Sequence, residues 1–121
     1  MNTKVQEINE LEFETKVIGC VQPALVGFLS SWSQACGRFG PVLEEVSGAC
    51  NGNAKVFRVD VDDNPDLGTR YAIQSVPTLI VFFDGTIRVK IVGTVSAKAI
   101  LAKLNSLTPG NPPANGFRRP Q

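Results

Sequence analysis

Hydrophobic and polar positions change their period several times along this chain. Residues 24–30 (Ala-Leu-Val-Gly-Phe-Leu-Ser) form a near-continuous apolar run between Pro23 and Ser31. A run of that length with no polar alternation predicts a strand buried on both faces. From Ser33 the period becomes helical: Cys36, Phe39, Leu43, Val46 and Cys50 recur at alternating steps of three and four, giving one apolar helix face. Pro41 falls inside this helix and predicts a kink. Residues 54–61 alternate, with Val56, Arg58 and Asp60 set against Phe57, Val59 and Val61, which predicts a largely buried strand. Asn64-Pro65 reads as a cap followed by proline at the first helical position, opening a short helix to about Tyr71.

Residues 78–83 and 86–92 predict two more strands, joined by Asp84-Gly85 as a two-residue hairpin. Gly93 ends the second of them. Ser96 then caps a last helix with Ile100, Leu101, Leu104 and Leu107 on its apolar face. At the start of the chain, residues 5–8 predict a short strand, and Asn9 with Glu12 forms a capping-box pair. Leu11, Val17 and Ile18 are expected to supply that helix with an apolar face, which Gly19 ends. The order β-α-β-α-β-α-β-β-α predicts an α/β fold. Its central mixed sheet takes parallel strands from the alternating part and an antiparallel hairpin at one edge, with helices on its flanks.

This pattern fills residues 1–107, one domain in a chain of 121 residues. Residues 108–121 hold four prolines, two glycines and a single large apolar side chain, Phe117. They are expected to form a flexible tail, either a solvated terminus or a docking segment built on Phe117, Arg118 and Arg119. Lys+Arg is 12 against Asp+Glu 11, a net charge of +1, so no electrostatic footprint for nucleic acid is present. The longest apolar stretch, residues 76–83, is far short of the ~20 residues of a membrane helix. No targeting pattern occurs in residues 1–14, so a cytoplasmic protein with reduced thiols is expected. The chain has no histidine, which excludes Ser-His-Asp and Cys-His nucleophilic pairs and any His-ligated metal. No cofactor and no metal is expected. Three cysteines are too few for a disulfide framework, and at least one must be unpaired within the chain.

Chemistry concentrates in Phe28-Leu29-Ser30-Ser31-Trp32-Ser33-Gln34-Ala35-Cys36, with Pro41, Val59-Asp60-Val61-Asp62-Asp63-Asn64-Pro65, Val76-Pro77-Thr78-Leu79, Asp84-Gly85 and Gly93. Together these resemble the thioredoxin family over nearly the whole chain to Leu107, and the resemblance implies the thioredoxin fold. The family's active site is Trp-Cys-Gly-Pro-Cys; here the same places hold Trp32-Ser33-Gln34-Ala35-Cys36. The attacking cysteine is thus Ser33, while Cys36 stands at the resolving place. A thiolate opens a disulfide through a mixed-disulfide intermediate. Serine forms no comparable alkoxide without an adjacent base. The family's buried aspartate corresponds to Gly27, and its accompanying lysine to Arg58. Pro77 matches the family's cis-proline, and the resemblance implies that Trp32, Val76, Pro77 and Gly93 line a groove for an extended peptide. Cys20 and Cys50 fall at the opposite pole from Cys36, where a disulfide between them and two free thiols are both open. Cys36 and Cys50 sit about 20 Å apart on one helix and cannot bridge.

Two functions compete. The first is a binding or redox-adaptor module for protein or peptide partners, without membrane or nucleic-acid binding and with weak or absent dithiol–disulfide reductase activity. The second is a single-thiol redox protein forming mixed disulfides at Cys36 with a thiol partner. For Cys36 a buried, weakly reactive thiol is weighed against a reactive one, and for Ser33 a helix cap against a functional hydroxyl.

Overall fold

The computed structural model describes residues 5–50 and 52–107. The elements follow the expected order: β1 (Val5–Glu7), α1 (Glu10–Phe13), β2 (Ala24–Leu29), α2 (Gln34–Cys50), β3 (Lys55–Asp60), α3 (Pro65–Arg70), β4 (Thr78–Phe83), β5 (Thr86–Val92) and α4 (Ala97–Asn105). The five strands form one sheet in the order β1-β3-β2-β4-β5. β1 and β2 run parallel to β3 on either side of it. β4 runs antiparallel to β2, and β5 antiparallel to β4. This is the thioredoxin fold.

β2 is buried at every position because both sheet faces are covered. Leu25 and Leu29 pack with Phe39, Leu43 and Val46 of α2 and Ile100 and Leu104 of α4. Val26 and Phe28 point the other way, to Phe13, Val17, Leu67 and Phe82. On that second face Tyr71 lies 5.4 Å from Phe13 and 5.3 Å from Phe82, centroid to centroid, the latter edge to face. The apolar stripe read from α2 is the observed one, since Cys36, Phe39, Leu43, Val46 and Cys50 are all buried. Pro41 sits within α2, which runs on through it to Cys50.

Helix α1 departs from expectation. Its capping box is present, with Asn9 and Glu12 each accepting the other's backbone N–H. However, Leu11 is 90 % exposed, and Phe13 with Val17 forms the buried face instead. After Phe13 the chain widens into a single π-type turn over Glu14–Ile18, closed by the Gly19 N–H on the Glu14 carbonyl. The cap fixes where the helix starts, and the wider turn shifts the buried stripe away from the Leu11 position.

Asn64 precedes α3 as expected, yet its side chain makes no cap bond there. Its Oδ1 accepts from the Glu10 N–H and its Nδ2 donates to the Asp60 carbonyl, so it ties α1 to the end of β3. The Asp84-Gly85 hairpin has φ of 59° and 77°, the left-handed pair that a type I′ turn requires. Ser96 caps α4 by accepting from the Ala99 N–H. Among the described residues no helix is long and apolar enough to cross a membrane. The expected tail, residues 108–121, lies outside the described residues.

Candidate functional site

The site forms where β2 and β3 end and α2 begins. β2 delivers Ser30, and the chain turns through Ser31 and Trp32, with the Ser33 N–H on the Ser30 carbonyl at 3.2 Å. Ser33 is the helix cap: its Oγ accepts the Cys36 N–H at 3.3 Å. Its carbonyl takes the Gly37 N–H. Cys36 lies one turn in and is 5 % exposed. Its Sγ accepts the backbone N–H of buried Ser30 at 3.4 Å, and the Ser30 hydroxyl donates to the Asp62 carboxylate.

Gly27 sits on the sheet face that carries α2. A Cβ built there would lie 2.8 Å from Leu43 Cδ1, so the Leu43 side chain fills the space an aspartate would need. Arg58 neighbours Gly27 across the β2–β3 register. With Cys36, Ser30, Ser31, Asp60 and Glu7 it lines a cavity of about 280 Å³.

A second hollow, about 340 Å³, lies beside the start of α2 and is walled by Trp32, Ser33, Val61, Ile73, Gln74, Ser75 and Val76. Trp32 is 74 % exposed. The wall from Ile73 to Val76 is set by how α3 ends. The Ile73 N–H bonds the Gly68 carbonyl at 2.8 Å and the Ala72 N–H bonds that of Thr69, a Schellman closure with Ala72 at φ 55°. The Val76–Pro77 peptide bond is cis. The Thr78 Oγ1 donates to the Ser75 carbonyl at 2.7 Å, and the Gly93 N–H donates to the Pro77 carbonyl at 2.8 Å.

The structure therefore brings Trp32, Ser33 and Val76 to one groove. Pro77 is buried and joined to Gly93, and neither lines the groove. Cys36 opens instead toward the Arg58 cavity. Sequence reasoning missed Val61 and Ile73 as groove walls. Val61 was legible as the last apolar position of the alternation over residues 54–61, one residue past the end of β3, while Ile73 depended on an unrecognised helix closure.

All three cysteines are free. Cys20 packs with the α1 and α3 layer and Cys50 with the α2 and α4 layer, so the sheet separates them. Burial pushes the Cys50 thiol above its ordinary value. No cluster of metal-ligating side chains occurs among the described residues.

The thioredoxin family profile matches residues 4–106. The chain belongs to the thioredoxin family. It is 38 % identical over 89 residues to a Staphylococcus epidermidis thioredoxin, spanning 74 % of this chain and 84 % of the relative. A Staphylococcus aureus thioredoxin is 39 % identical over the same shares. The crystal structure of a chloroplastic thioredoxin z superposes with a TM-score of 0.79 at 27 % identity, covering 88 % of this chain and 96 % of that one. Proteins of the thioredoxin family act on protein or thiol partners.

Proposed function

We propose that this thioredoxin-family protein is a peptide- or protein-binding module that has given up dithiol–disulfide exchange. The observation that carries the reading is Ser33. Its hydroxyl stands at the helix start where a thiolate would attack, and it is engaged as the cap of α2 through the Cys36 N–H. Exchange needs a thiolate nucleophile and a leaving thiolate in the same site. A capping hydroxyl supplies neither, and among the described residues the hydrogen bond of the Ser33 Oγ is to the Cys36 N–H, not to a base. Gly27 itself supplies no carboxylate, and the Leu43 side chain fills the space that one would need there. What remains is the groove of Trp32, Val61, Ile73 and Val76, with an exposed indole suited to anchor an extended segment. Val76, Pro77 and Gly93 serve that groove by setting the course of its wall. Residues 1–107 act as the binding domain.

A second reading rests on the Arg58 cavity. Cys36 borders it, so a small oxidised thiol could be attacked there, forming a Cys36 mixed disulfide and releasing the other half as a thiolate. Cys50 lies at the far end of the same helix and cannot resolve it.

The two readings separate in a titration with reduced, carboxymethylated insulin B chain, an extended polypeptide without free thiols. Trp32 is the sole tryptophan, so its emission reports the groove directly. A saturable change is expected, unaltered in Cys36→Ala and weakened about tenfold or more in Trp32→Ala followed by calorimetry. Absence of binding, or binding that disappears with Cys36, overturns the module reading.

A further inference from the structure

At the pole opposite the groove, where α2 ends and β3 begins, a third hollow of about 320 Å³ opens. β3 lines it from both sides of the sheet, with Ala54 and Val56 on the α2 side and Lys55 and Phe57 on the other. The hollow therefore lies at the open end of the sheet, beside the start of β1, where exposed Gln6 stands at its rim. The connection that forms its wall is tied down at several points. The Asn53 N–H bonds the Cys50 carbonyl at 3.0 Å, Gln22 Nε2 donates to the Gly52 carbonyl at 3.0 Å, and the Lys55 N–H donates to the Pro23 carbonyl at 2.9 Å.

Two side chains of this lining are left without partners. Ser47, in the last turn of α2, is 6 % exposed and borders the hollow. Among the described residues its hydroxyl has no hydrogen-bond partner. A buried hydroxyl in that state costs stability, and native structures rarely keep one. Alanine would also be the better helix former at this position. Lys55 is exposed, and among the described residues its ammonium has neither a hydrogen bond nor an ion pair. It is the one charged residue of the lining.

We propose that this hollow is a binding site for a small amphipathic carboxylate. The carboxylate meets the Lys55 ammonium, the apolar body covers buried Ala54 and Val56, and a polar atom at the far end bonds the Ser47 hydroxyl. A site of this kind joins an apolar floor to a few placed polar groups. The volume holds about ten water molecules, enough for one ring with its substituents. The site shares no residue with the Trp32 groove, so it stands independently of the peptide-binding reading.

The probe is para-hydroxybenzoate, titrated into the full-length protein and followed by amide NMR shifts. The amides of Gln6, Ser47 and Lys55 are expected to shift saturably while those of Trp32 and Val76 stay in place. Ser47→Ala should weaken binding about fivefold. The same change should raise the melting temperature of the free protein, because the unpartnered hydroxyl is gone. Lys55→Gln should also weaken binding, and added salt should bring the wild type toward that variant. Benzoate, which lacks the far hydroxyl, should bind the wild type and Ser47→Ala alike. The proposal is overturned by the absence of a saturable shift, by shifts centred on Trp32 and Val76, or by equal affinity of para-hydroxybenzoate for the wild type and Ser47→Ala. Equally tight binding of the cation para-hydroxybenzylamine also overturns it, since Lys55 would then play no part.

Discussion

The proposed loss of dithiol exchange rests on two residues, Ser33 and Gly27, and on packing as much as on chemistry. Ser33 caps α2, its Oγ accepting the Cys36 N–H, as a small polar side chain at a helix start does. At Gly27 an added Cβ would lie 2.8 Å from Leu43 Cδ1. Restoring aspartate is therefore not a local edit. Gly27→Asp is expected to destabilise the fold by about 1–3 kcal/mol through overpacking. In combination with Leu43→Ala the two costs should be less than additive, because the truncated side chain vacates the required space. Urea denaturation of the single and double variants checks this, and strict additivity would contradict the packing argument. The identity of these two residues was legible in the sequence. The Leu43 contact was not, because it depends on how a helix seats over a sheet.

At the scale of elements, the sequence predicted well wherever one periodicity or one turn chemistry dominated. The stripe of α2, the Asp84-Gly85 hairpin and the Ser96 cap each rest on a single strong signal. It failed where two rules competed. The capping box of α1 is as read, but the wider turn that follows puts Leu11 in water and Phe13 in the core. The Asn64 side chain joins two elements instead of capping its own helix. The groove wall has a similar origin, because the Schellman closure of α3 aims Ile73 with no glycine to announce it. Ala72 holds φ 55°, a conformation that costs an L-residue about 1 kcal/mol or more. Ala72→Gly is expected to stabilise the protein by roughly 0.5 kcal/mol net of the added chain entropy. Thermal unfolding reads the sign, and a loss of stability would show that the Ala72 methyl packs where the backbone argument assigns strain.

At the scale of the molecule, the thioredoxin fold sets two differently lined hollows near one another. The sheet order brings the ends of β2 and β3 and the starts of α2 and β4 to one pole. There the groove and the thiol occupy different hollows, with Trp32 and Val76 lining one and Cys36 with Arg58 the other. On the proposed reading, serine at position 33 removes exchange and leaves the groove intact, because the two hollows have different linings. Dithiothreitol-driven reduction of insulin, run on the wild type and on Ser33→Cys side by side, tests this most directly. The wild type should remain at the uncatalysed rate, while Ser33→Cys shows measurable turnover, held below that of an ordinary thioredoxin by the absent carboxylate at Gly27. Wild-type turnover comparable to that of an ordinary thioredoxin would contradict the account.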